Sequence, residues 1–116
     1  MTDSESLART CASAALDKKA EDVVLLDLRD VSSFTDFFLI CSGGSEPQLK
    51  AISSSIRERV REAFTRRPLA EDGYPLSQWV VLDYGDVICH LFLGEKREFY
   101  DLESLWSDAK RIPIED

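Results

Sequence analysis

The stretch WVVLDYGDVICHLF (residues 79–92) decides how this chain is read. It has the form of two short strands around a tight turn. With Tyr84-Gly85 in the turn, Asp83 faces Asp86, Val81 faces Ile88 and Trp79 faces His90. Side chains alternate along a strand. One face then carries Val80, Leu82, Val87, Cys89 and Leu91, an aliphatic surface that belongs against helices. The other carries Trp79, Val81, Ile88, His90 and Phe92, with the aspartates at the turn end. Spacing leaves two readings of this second face open. It is a surface for a partner, where aromatic side chains are common anchors, or it is a second core layer under another element.

Outward from the hairpin, "DVVLLDL" (residues 22–28) is a continuous apolar run, the pattern of a strand covered on both faces. "FTDFFLICS" (residues 34–42) predicts a second strand from Phe37 to about Ser42. Between it and the hairpin, Leu49, Ile52, Ile56, Val60 and Phe64 form one helical stripe, opposite Lys50, Arg57, Arg59 and Arg61. Ser45 is the expected N-cap with Gln48 as its capping-box partner and Pro47 in the first turn. Arg66 and Arg67 are expected to complement the helix C-terminus before Pro68. A helix from Ser4 to about Lys19, capped by Ser4 or Ser6, precedes the first strand. "RPLAEDGYPLSQ" (residues 67–78) reads as a loop. A short C-terminal helix follows the hairpin with Asp101 as its N-cap, and residues 107–116 are expected to form a flexible tail. These elements predict an α/β fold: a small single domain, residues 1–116, with a mixed sheet of four or five strands flanked by helices.

The chain has 116 residues, 44% hydrophobic and 31% charged, with a formal net charge of −8. That composition is globular, and no apolar run approaches the roughly 20 residues of a membrane helix. The opening MTDSESLART has no basic segment before an apolar one, so the chain is expected to act where it is made, in the cytoplasm. Cys11, Cys41 and Cys89 are odd in number and far apart, which points to reduced core thiols and to no metal site. An acidic protein is repelled by nucleic-acid phosphates, so direct sequence-specific binding to RNA or DNA is not expected; a basic protein surface is the better partner.

The segment CSGGS (residues 41–45) before a helix raises the question of phosphate chemistry. A P-loop needs a lysine followed by Ser or Thr, and Glu46 and Pro47 stand there instead. A metal-dependent nucleotidyltransferase, the alternative function, would use Ser45 with Asp83 and Asp86. Their D-x-x-D spacing meets only across a turn, and two aspartates that favour the bend are the simpler reading. His90 has no evident catalytic partner, and no cofactor is implied.

Three blocks in order, TDFFLICSGGS (residues 35–45), WVVLDYGDVICHLF (residues 79–92) and REFYDLESLW (residues 97–106), resemble the Iojap-related ribosomal silencing factor family. The resemblance runs from Asp22 to Trp106. It implies a fold related to nucleotidyltransferases without their activity. It also implies binding to the large ribosomal subunit through its basic intersubunit-face protein, ribosomal protein fourteen. The family thereby blocks joining of the small subunit and represses translation, notably under nutrient limitation, and has roles in large-subunit maturation. By position, Trp79, Phe92 and Tyr100 would be the anchors, with His90 and the acidic Asp83 and Asp86 beside them. An aromatic patch exposed on the free protein would also favour a homodimer.

Overall fold

The computed structural model describes residues 3–73, 78–94 and 96–114, without the side chains of Phe99 and Tyr100. The chain order is α1 (Ser4–Asp17), β1 (Glu21–Asp27), β2 (Phe37–Gly43), α2 (Glu46–Phe64), β3 (Ala70–Asp72), β4 (Trp79–Asp83), β5 (Val87–Leu93), α3 (Lys96–Tyr100), α4 (Leu102–Leu105) and β6 (Lys110–Ile112). Among the described residues the strands make one six-stranded sheet in the order β3-β4-β5-β2-β1-β6. Only β2 and β5 run parallel; the other neighbours are antiparallel. The sheet is mixed, as expected, but larger than the expected four or five strands. Both extra strands are at its edges. β3 lies in the expected loop, and β6 lies in the expected flexible tail, paired with β1 through Leu25 and Ile112. Each is three residues long and mostly charged, so neither shows the alternation by which a strand is recognised.

Helices α1 and α2 cover one face of the sheet. Asp3 caps α1 by accepting from the Glu5 N–H, and the Ser6 hydroxyl also donates to it, so the expected serine cap is displaced by one residue. The cap of α2 is as read: Ser45 Oγ accepts from the Gln48 N–H at 3.2 Å. Gln48 then departs from the capping box. Its Oε1 accepts from the Gly44 N–H at 2.7 Å, and its Nε2 donates to the carbonyls of Lys18 and Lys19. One side chain thus ties the end of α1 to the start of α2. Leu49, Ile52, Ile56 and Val60 are buried against Leu7, Cys11, Leu25, Phe37, Leu39, Leu82, Val87 and Leu91. Cys11, Cys41 and Cys89 are free and buried in the same core, where burial pushes the Cys41 thiol up to about 12, so it is held protonated.

The hairpin register differs from the expected one by two residues: Trp79 pairs with Phe92, Val81 with His90 and Asp83 with Ile88. Gly85, at φ +90°, takes the first position of a two-residue turn with Asp86. Tyr84 therefore stays in the ladder, its N–H donating to the Val87 carbonyl, and its side chain is buried. A shift of two preserves parity, so both face assignments hold. The helix C-terminus also differs. Thr65 caps α2 in the left-handed region, and Arg66 reaches past it to the hairpin turn, donating to Asp86 and to the Tyr84 carbonyl.

The second face of the sheet is covered by the C-terminal segment. Leu26, Leu28, Phe38, Ile40 and Phe92 are buried there, with Val24, Trp79, Ile88, Leu102, Trp106 and Ala109 packed around them. Helices of five and four residues have no stability of their own. Asp101 sits at the α4 N-cap, as expected, but in the left-handed region and without a side-chain capping bond. The segment is held instead by Arg97. Its guanidinium donates to Glu103 (2.8 Å), to the Asp22 carbonyl and to Ser42 Oγ (3.4 Å). Asp22 lies in the left-handed region where the β1–β2 register is interrupted, which makes its carbonyl available. Glu103 in turn accepts from Arg111 of β6. Arg97→Met keeps the aliphatic stem and removes these bonds; we expect a loss of about 2 kcal/mol. Hydrogen exchange should accelerate across residues 101–112 while α1 and α2 keep their protection. Uniform acceleration would show that Arg97 does not hold this segment separately.

Candidate functional site

Strand alternation places Trp79 and Val81 of β4, and Ile88, His90 and Phe92 of β5, on the second face. Because Trp79 and Phe92 are directly paired, their rings stack, with centroids 5.2 Å apart and planes at 25°. The indole Nε1–H of Trp79 donates to His90 Nδ1 at 3.1 Å. The imidazole therefore has an unprotonated Nδ1. The Phe38 ring packs on it in a T-shaped contact, with centroids 4.5 Å apart and planes at 66°. Phe38 also contacts Trp106 edge-on, and Phe34 packs on both Phe38 and Trp106. The result is one aromatic array across the sheet face. It reaches the surface at half-buried Trp79 and, at its far end, at Phe34, which is 60% exposed.

The expected contact residues are thus unequally placed. Trp79 is half-buried and presents part of its ring. Phe92 is fully buried, a correction to its expected place as a surface anchor: it is the platform beneath the indole. His90 is 7% exposed and is likewise inside the face. The aspartates do not face each other as expected: Asp83 ends β4 opposite Ile88, and Asp86 lies in the turn. Asp83 accepts from the Gly85 N–H at 2.7 Å and shapes the turn, while Asp86 receives the Arg66 guanidinium on both oxygens. Tyr100 lies outside the described side chains. Phe34 and Trp106 were missed as members of the array. A lone Phe just before a strand gives no periodic signal, and Trp106 carries only a motif, with no pattern that shows which face it joins.

The side chains of the transferase reading all have partners within the protein. Ser45 caps α2, Asp83 holds the turn and Asp86 pairs with Arg66. Among the described residues, no group of three or more His, Cys, Asp or Glu is placed to hold a metal ion.

Burial pushes the His90 imidazole down to about 4. A histidine depressed in this way is neutral when folded but protonated when unfolded between about pH 6.5 and about pH 4. The unfolded state binds more protons in that window, so stability falls as pH falls through it, by about 3 kcal/mol in all. His90→Asn should remove this contribution. Urea midpoints at pH 7 and pH 4.5 should fall more steeply for the parent than for the variant; parallel falls would show that His90 is not held neutral.

The family model described as "RsfS: Ribosomal silencing factor during starvation" matches residues 1–116. The ribosomal silencing factor RsfS of Halalkalibacterium halodurans is 40% identical over 111 residues, covering 96% of this chain and 94% of that protein. A mouse protein, "Mitochondrial assembly of ribosomal large subunit protein 1", is 30% identical over 92 residues, 78% of this chain and 40% of its own length. Among solved structures, a crystal structure of a protein from Chromobacterium violaceum is similar with a TM-score of 0.86 and 26% identity, covering 99% of this chain and 94% of that one. With a match along the whole chain and a relative this similar over nearly its full length, the protein belongs to the ribosomal silencing factor (RsfS) family.

Proposed function

We propose that this protein binds the large ribosomal subunit, blocks its association with the small subunit and so represses translation. The observation that carries the reading is the family match over residues 1–116. The docking partner in this reading is the basic protein of the intersubunit face, ribosomal protein fourteen. The aromatic face supports it, because half-buried Trp79 is a large, rigid contact of the kind that anchors interfaces. Exposed Phe34 extends the same face. Tyr100 keeps its proposed role as an anchor from its position in the sequence. A net charge of −8 favours a basic protein partner and opposes capture by ribosomal RNA. The name of the mouse relative supports a further part in assembling the large subunit. The proposed place of action is the cytoplasm; no described helix is long and apolar enough to cross a membrane.

A factor that acts by occupying a surface needs no turnover. Added to separated subunits, it should inhibit joining in proportion to its amount, reaching completion near one factor per large subunit. Preformed subunit pairs should resist it. Sedimentation of purified subunits with increasing factor measures both. Inhibition far below one factor per subunit, and dependent on magnesium and a nucleoside triphosphate, would point to chemistry and overturn the steric reading.

Trp79→Ala tests the docking face. Affinity for the large subunit should fall about 30-fold or more, the usual consequence of truncating an interface tryptophan. The protein should still unfold cooperatively, at a lower temperature, because the ring also packs on Phe92. Unchanged affinity in the folded variant would remove Trp79 from the interface.

A further inference from the structure

We propose that His90 is a positioning residue for docking: its Nδ1 holds the Trp79 indole in the one orientation that the partner meets. The inference rests on Trp79 being a docking anchor.

Three observations carry it. First, stacking on Phe92 sets the plane of the indole but not its direction within that plane. A half-turn about the Cβ–Cγ bond keeps the ring plane and sends Nε1 to the opposite side. The bond from Nε1 to His90 Nδ1, at 3.1 Å, distinguishes the two orientations. Second, the acceptor is itself fixed. His90 lies between its paired neighbours Val81 on β4 and Ile40 on β2, with the Phe38 ring against it at 4.5 Å. Third, His90 is not placed to make the contact itself. It is 7% exposed, and its Nε2 is buried with no hydrogen-bond partner among the described residues. With Nδ1 accepting, the neutral ring carries its proton on that buried Nε2. What the imidazole supplies that leucine does not is a buried acceptor aimed at the indole. A side chain already fixed loses less freedom on binding, which translates into affinity.

The test uses the full chain with two substitutions. His90→Asn places an oxygen where Nδ1 stood; His90→Leu keeps similar bulk and has no acceptor. The readouts are the two tryptophan indole N–H resonances, with Trp79→Phe used to assign them, and affinity for purified large subunits. In the parent, the Trp79 indole N–H should exchange slowly with solvent. His90→Asn should retain slow exchange and bind within about threefold of the parent. His90→Leu should exchange fast and bind about tenfold more weakly, the scale of immobilising one side chain. Parent-like affinity or parent-like exchange in His90→Leu overturns the proposal, as does an equal loss of affinity in both variants. If a variant fails to fold, the parent decides: a Trp79 indole N–H that exchanges as fast as a free indole refutes the bond. If the parent does not bind large subunits, the docking reading fails, while the exchange measurements still determine whether His90 holds the indole.

Discussion

Every residue of β2, from Phe37 to Gly43, is buried, and the rest of the molecule follows from that constraint. A strand in the middle of a sheet with apolar side chains on both sides needs two covers. Leu39 and Cys41 point into the core under α1 and α2, whereas Phe38 and Ile40 point the other way. The first cover is conventional, a pair of amphipathic helices. The second is a segment with helices of five and four residues, stable only while it is attached. Arg97 makes the attachment at β1 and β2, and Glu103 passes it on to Arg111 of β6. The cation is well satisfied: its side chain is 11% exposed, and its bonds reach a carboxylate, a carbonyl and a hydroxyl. A buried charge with such partners does not carry the penalty of an unpaired one.

Much of this was legible because it depends on periodicity. The apolar stripe of α2, its Ser45 cap and the two faces of the hairpin are local patterns with period 3.6 or 2. The hairpin faces survived an error of two residues in register because alternation depends only on parity. The register itself turned on a competition that spacing does not reveal. Tyr84 either sits in the turn or is buried, and burying a large ring prevailed, leaving Gly85 and Asp86 to turn the chain. β3 and β6 were missed for the opposite reason. Three mostly charged residues become a strand only because a partner edge is available, which is a tertiary fact.

The candidate site was legible as a face but not as a surface. Alternation states which side chains share a side of the sheet; it does not state what lies over them. Phe92 and His90 were assigned to the correct side and then proved to be inside, because the Trp79 ring stacks on Phe92 and the Phe38 ring packs on His90. The aspartates show the same limit. Two turn carboxylates were read as bend-formers, and Asp83 is one. Asp86 has a further partner in Arg66, twenty residues away, which no local rule brings to it.

Partial cover is also what an aromatic docking face requires. A fully exposed array of Trp79, Phe92, Phe38, Trp106 and Phe34 would present a large apolar patch to water and invite association. A fully buried one would offer nothing to bind. Here the middle is sealed, since Phe92 has no exposure and Phe38 only 5%, while the two ends emerge. The sealed part sets the geometry of the exposed part: Phe92 supports the Trp79 ring from below, and Phe38 and Trp106 support Phe34. The same apolar contacts therefore contribute twice, once to the stability of the sheet and once to the rigidity of the rings at its rim. A contact surface built this way would be preorganised by the core beneath it.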